Sequence, residues 1–252
     1  MFTAGNLILG SVAALIVGMS KTAFPGAALV ATPIIATIVT GRAIAGTTLP
    51  ILIAADLFAV TWYSRHARWD LLRPMIISVS VGFAAGATFF AVVGSSTRPI
   101  NIVIGVSILL MAGLQTWRMV HRQEPVLPTR TAAVVYGSSG GFTTFVANAA
   151  GPVLNTYLVR LGLGKAELVG TSALFYFAVN IAKIPVYLAL GEWSSGGRFF
   201  TGTTLAFDAV LLPAVLVGLF SGHRMLHTLP ERAFLIGVLV LSAAGAIKLL
   251  LP

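Results

Sequence analysis

The sequence contains no cysteine. Disulfides, thiolate nucleophiles and cysteine-ligated metal sites are therefore excluded. Charge is also scarce. Asp, Glu, Lys and Arg together make up 9% of the chain, against about 25% in an average soluble domain. Acidic side chains are the rarest, seven against sixteen Lys and Arg. A chain that is 57% hydrophobic cannot cover a folded surface in water, so the composition points to an all-α polytopic membrane protein.

Catalytic patterns are missing as well. There is no P-loop, no H-E-x-x-H and no G-x-S-x-G motif, and the run "GSSGG" at Gly137–Gly141 lacks a partnered base. The reading is of a protein that is not an enzyme and needs no cofactor and no metal. His66, His121, His223 and His227 fall in charged loop stretches. His223 and His227 have helical spacing, but Glu231 is their only nearby partner, too little for a metal site. The net charge of +9 comes from basic residues placed between apolar runs, with no basic block. This suits loops on the cytoplasmic side rather than nucleic-acid binding. The N-terminal "MFTAGNLILGSVAALIVG" lacks the basic start of a secretory signal and is expected to stay as a first membrane segment.

What is present is a series of ten apolar stretches: Asn6–Met19, Ala27–Thr40, Ile44–Tyr63, Pro74–Gly94, Ile100–Met119, Thr131–Ala149, Val153–Leu163, Leu168–Leu190, Thr203–Gly222 and Ala233–Leu251. The third, fourth, fifth, eighth, ninth and tenth have the ~20 residues that a spanning helix needs. The first two, and likewise the sixth and seventh, are shorter and rich in Gly and Pro. They are expected to form broken helices or tight helical hairpins.

The two halves resemble each other. With Pro33 set on Pro152 and one short insertion allowed, "GTTLPILIAADLFAVTWY" from Gly46 faces "GTSALFYFAVNIAKIPVY" from Gly170. Asp56 then falls on Asn180 and Tyr63 on Tyr187. Further on, "GFAAG" (Gly82–Gly86) meets "GLFSG" (Gly218–Gly222), and "GVSILLMAG" at Gly105 meets "GVLVLSAAG" at Gly237. The series indicates a duplication into 1–125 and 126–252, two repeats of about five helical segments within one integral membrane domain. Basic loops follow the third, fifth and ninth stretches, whereas the loop after the eighth, "GEWSSGGR", is nearly neutral. A charge bias that moves by one loop between copies is expected of inverted-topology repeats with an odd number of crossings, the architecture of many secondary transporters. It places both termini outside the cytoplasm. The glycine pattern also permits a homodimer.

Candidate site residues come from polar groups inside apolar segments. "GMSKTAFPGAALVATP" puts Lys21 four residues before Pro25-Gly26. Either Lys21 snorkels to an interface, or it stands beside a helix break whose free N–H groups attract an anion. The second copy, "GSSGGFTTFVANAAGPVLN", supplies Ser138, Ser139, Thr143, Thr144, Asn148 and Asn155 with a break at Gly151-Pro152. Close packing through small residues is the alternative there. In "TSALFYFAVNIAKIPVYLALG", Ser172, Tyr176, Asn180, Lys183 and Tyr187 recur on one helix face. Lys183 is near mid-span, where an ionisable residue marks a site or pairs with another charge, here Asp56 or Asp208. Asp56 is a candidate to carry a proton, balance Lys183 or help hold Na⁺. Asp208 is a second candidate for the proton role.

These segments resemble the TauE/SafE family of sulfite and organosulfonate permeases. "GMSKTAFPGAALVATPIIA" is similar to its opening motif, and the run from Gly141 to Gly191 to its second. The chain departs from the pattern at Ala27, Ala28, Thr32, Ala147 and Asn148, where relatives tend to have glycine. The resemblance implies a multi-pass protein of the bacterial cytoplasmic (inner) membrane that moves sulfite or a C2–C3 organosulfonate such as sulfoacetate, with export favoured. Its partners would be the small anion and the lipid bilayer. The expected mechanism is alternating access, with Lys21, Pro25, Gly26, Gly151 and Lys183 binding the anion. Asn148, Asn155, Thr171, Tyr176 and Asn180 would orient it, and Asp56 or Asp208 would couple to protons. An anion channel and a membrane structural subunit without transport activity are the alternatives.

Overall fold

The computed structural model describes residues 1–24, 26–121, 129–194, 196–225 and 231–251. Pro25, His227 and the expected boundary at 125/126 lie outside these. The chain is an all-α polytopic membrane protein. Its helices are α1 (Ala4–Thr22), α2 (Ala31–Ile35), α3 (Arg42–Tyr63), α4 (Trp69–Leu72), α5 (Ile76–Val93) and α6 (Thr97–Val120). They continue with α7 (Arg130–Ala147), α8 (Gly151–Arg160), α9 (Lys165–Trp193), α10 (Gly202–Met225) and α11 (Glu231–Leu250). Among the described residues, seven helical segments are long and apolar enough to cross a membrane.

The seventh is the first stretch, expected to be too short. It runs as 19 residues, from Ala4 to Thr22. The Thr3 side chain accepts from the Asn6 N–H and starts the helix early. At the other end Ser20 Oγ donates to the Val17 carbonyl at 2.7 Å, and Lys21 finds a buried counter-charge. Polar residues that looked like a terminus thus stay within the helix. The second stretch behaves as expected of a broken segment, a 3-10 turn at Ala27–Val30 followed by the five residues of α2. His223, read as a loop residue, sits in the last turn of α10.

The helices pair crosswise between the halves. α1 packs along α10, α5 along α7, α6 along α11, and α3 along α9. Two of these pairs are glycine contacts. Gly18 and Gly218 press against the backbones of the facing helices, α10 and α1, and Gly82 and Gly141 do the same between α5 and α7. Such approach replaces side-chain interdigitation, because lipid supplies no hydrophobic drive between helices. An aromatic core of Phe90, Phe145, Tyr187 and Phe199 closes one side of the centre, with Tyr187 stacked on Phe199 at 4.2 Å.

Arg42, which falls between two of the apolar stretches, is buried at the start of α3. It donates to the carbonyls of Leu190 and Gly197 at 3.4 Å, and to Ser194 Oγ and the Phe90 carbonyl. It adds donors to the last turns of α5 and α9, where the Phe90 and Leu190 carbonyls also accept from the Gly94 and Ser194 N–H groups.

Candidate functional site

Two helix breaks meet at the centre. After α1 the chain turns at Gly26, whose φ of 99° favours glycine. After α7 it turns at Asn148, at φ 53° and ψ 32°, a left-handed conformation that Asn tolerates better than most residues. Asn148 is held from both sides. Its Nδ2 donates to the Ala45 carbonyl at 3.1 Å, and its Oδ1 accepts from Lys183 Nζ at 2.5 Å. Thr32 Oγ1 donates to the Ala147 carbonyl at 2.7 Å, which ties the first broken segment to the end of α7. A Cβ placed on Gly151 would stand 3.6 Å from Gly26 Cα, so the two breaks touch.

Between them lies a cavity of about 50 Å³. A single water takes ~10–15 Å³ by this measure, so the space holds only a few atoms. Its polar lining is Ser20, Lys21, Thr144, Asn148, Asn155, Ser172, Tyr176 and Asn180, together with backbone at Gly26 and Ala149–Pro152. Lys21 is the charged side chain of that lining. Its Nζ is 2.7 Å from Asp56 Oδ1 and 4.4 Å from the Tyr176 ring centroid, a cation–π distance. Asp56 Oδ1 makes no aligned hydrogen bond within this contact. Its Oδ2 accepts from Asn180 Nδ2 at 2.6 Å. Asp56 is fully buried behind the lining.

The polar stripe on α9 is engaged along its length. Ser172 Oγ donates to Asn155 Oδ1 at 3.3 Å and Tyr176 OH to the Gly151 carbonyl at 3.4 Å. Lys183 Nζ donates to the Thr144 carbonyl and hydroxyl at 3.1 and 3.3 Å, and Tyr187 OH to the Phe145 carbonyl. Lys183 thus caps the end of α7 and fixes Asn148 from behind the wall. The structure does not pair it with Asp56, whose salt-bridge partner is Lys21.

The expected residues divide accordingly. Lys21, Gly26, Asn148, Gly151, Asn155, Tyr176 and Asn180 line the cavity, and Asp56 and Lys183 stand directly behind it. Thr171 lies elsewhere, accepting from the Arg68 N–H at 2.9 Å. Asp208 is buried in α10, away from the cavity lining, with both carboxylate oxygens unpartnered among the described residues. The first break also differs from expectation. The N–H groups of Ala27 and Leu29 are taken by the carbonyls of Phe24 and Gly26, so this break contributes a charge. The N-terminus of a ten-residue helix comes only from the second break, through α8.

Sequence reasoning missed Ser20 and Gln115. The Gln115 carboxamide lies 3.3 Å from where a Cβ on Gly26 would be. It is 1% exposed, and neither of its polar atoms has a partner among the described residues. A lone Gln inside an apolar run was the signal for it. Gln115→Leu is expected to raise the unfolding midpoint in detergent, by a stabilisation of about 1 kcal/mol, because it removes two unsatisfied buried atoms at similar volume.

Comparison of the chain with curated proteins and with solved structures gives no match. Its sequence matches the sulfite exporter TauE/SafE family over residues 11–249, and with apolar helices paired around a lysine-lined cavity, the chain belongs to that family.

Proposed function

We propose that the chain is a secondary transporter for a small anion, sulfite or a C2–C3 organosulfonate such as sulfoacetate, working by alternating access across the cytoplasmic membrane in the export direction. The observation that carries this reading is the cavity itself, a few atoms wide, with one cationic side chain and a ring of neutral hydrogen-bonding groups at two touching helix breaks. Discontinuous helices at the centre of a membrane protein are where substrate sites of this kind form. Lys21 supplies the charge. Asn148, Asn155, Tyr176 and Asn180 orient the oxygens, and the start of α8 adds a helix N-terminus. Lys183 acts through Asn148, and Asp56 or Asp208 couples transport to protons. The volume suits the four non-hydrogen atoms of sulfite better than the longer sulfoacetate.

The repeat architecture belongs to the same proposal. The halves 1–125 and 126–252 are inverted-topology repeats, with both termini outside the cytoplasm. The crosswise pairing supports this, because a two-fold axis in the membrane plane sets the first segment of each half on the fourth of the other, and like on like for the third and fifth. Asp56 and Asn180, matched in the sequence alignment, meet each other across that axis.

The test is direct. Purified protein in detergent is titrated with sulfite, sulfoacetate, sulfate and an organic cation, and flux is followed in proteoliposomes. Saturable binding and flux of sulfite or sulfoacetate, with none for the cation, is the expected result. Absence of anion binding overturns the reading. Currents far above carrier turnover in planar bilayers would turn it into a channel.

A further inference from the structure

The contact between Lys21 and Asp56 fills the role that a bound anion would take. Asp56 is fully buried, yet its Oδ1 meets Lys21 at 2.7 Å without an aligned hydrogen bond. Its other oxygen is held by Asn180, a cavity-lining residue. Both groups that hold the carboxylate are therefore groups that an incoming oxyanion would contact. We propose that Asp56 holds the place of the transported anion at Lys21, and that the anion, on binding, displaces it and is carried together with one proton.

The argument rests on the anion-carrier reading above and follows from charge. In the empty site, Lys21 and Asp56 sum to zero. A monovalent anion arriving at Lys21 leaves Asp56 as a buried carboxylate without its salt-bridge partner, and Lys183 stays hydrogen-bonded to Thr144 and Asn148, a state that a low-dielectric interior disfavours. Uptake of one proton, converting the carboxylate to the neutral acid, restores the sum to zero. No bond other than that O–H forms. Asn180, which donates to the carboxylate, can instead accept from the acid through Oδ1, an atom with no partner among the described residues. A dianion such as sulfate, or sulfoacetate with its carboxylate ionised, would leave the site at minus one, so the exchange narrows the substrates proposed above to monoanions, hydrogen sulfite or a simple monosulfonate.

Other ionisable groups near α3 do not fill this role. α9 brings Tyr176 and Lys183, and Lys183 is committed to Thr144 and Asn148. α10 carries Asp208 and, in its last turn, His223, which meets Tyr63. The turn after α3 carries Arg65 and His66. α2 carries none, and α7 carries Arg130 and Tyr136 near its start.

The probe is ethanesulfonate, whose charge is fixed between about pH 5.5 and 8.5. Its binding to wild-type protein in detergent is measured across that range, with proton uptake read by an indicator dye in weak buffer. Binding is expected to weaken with rising pH, approaching tenfold per unit, with close to one proton taken up per anion bound. Asp56→Asn is expected to bind at least as tightly as the wild type does at low pH, with no pH dependence and no uptake. PH-independent wild-type binding without proton uptake overturns the exchange while leaving the carrier standing. Wild type that binds neither ethanesulfonate nor sulfite at any pH overturns both. The wild-type measurement decides the matter even if Asp56→Asn fails to fold.

Discussion

Lys21→Ala is expected to abolish anion binding and to lower stability by up to about 4 kcal/mol at neutral pH. The loss has a bound with a physical origin. Without Lys21, Asp56 is a buried carboxyl that has lost its salt-bridge partner while Lys183 stays hydrogen-bonded to Thr144 and Asn148, and the least costly way to keep it inside is to protonate it. Protonating a carboxyl that is ionised above about pH 3.9 in the unfolded chain costs ~4 kcal/mol at pH 7 and ~1.4 kcal/mol less for each unit of acidification. The variant's folded state then holds a proton that its unfolded state releases, so its stability falls as pH rises towards neutrality and recovers as pH drops. The double variant Lys21→Ala/Asp56→Ala is expected to regain most of the stability and none of the binding. Unfolding midpoints in detergent at several pH values, beside sulfite titrations, measure both. A single variant as stable as wild type at neutral pH would show that the pair contributes nothing to the fold.

Gly218→Ala is expected to prevent folding altogether, an effect out of proportion to one methyl group. The added Cβ would fall against the Leu15 backbone of α1, closer than any real Cβ contact, and backbone cannot move aside as a flexible side chain can. Relief requires α1 and α10 to separate along their length, which breaks one of the two glycine-mediated helix contacts. Overpacking of an ordinary core costs about 1–3 kcal/mol, and a rigid helix pair stands above that range. Gly113→Ala is the matched control, because its Cβ meets nothing within 4 Å. That change is expected to leave yield unchanged and to favour the helix slightly. Size-exclusion profiles of detergent-extracted protein separate the two outcomes.

Much of the site was visible in the sequence because polar residues are conspicuous in apolar helices. The α9 stripe from Ser172 to Tyr187 could be read from its spacing, and each of its members finds a partner in the fold. Partner choice was less visible. Lys183 was the expected partner of Asp56 or Asp208, and only the helix pairing decides that Lys21 reaches Asp56 while Lys183 turns to the end of α7. Thr171 sits one residue off the stripe and turns to the loop at Arg68. Arg42 escaped notice because a basic residue at the edge of an apolar run looks the same whether it is solvated or capping two neighbouring helices. The end of the first span was misjudged for the related reason that a paired lysine ends no helix.

The crosswise pairing of helices also governs how the protein is made. α1 enters the membrane before the other helices described, but its main partner, α10, follows all of them except α11. During that interval the Gly18 face of α1 lacks its native neighbour on α10. Asp56 on α3 arrives early enough to neutralise Lys21, so the ion pair can shelter the lysine while the bilayer is the only other surroundings. Neither α5 nor α10 packs chiefly on the helices next to it in the chain, since α5 is completed by α7 and α10 by α1. Assembly is therefore a late, whole-chain event. Truncation anywhere before Gly202 removes the partner of α1 and leaves an open helix face to the quality-control machinery of the membrane.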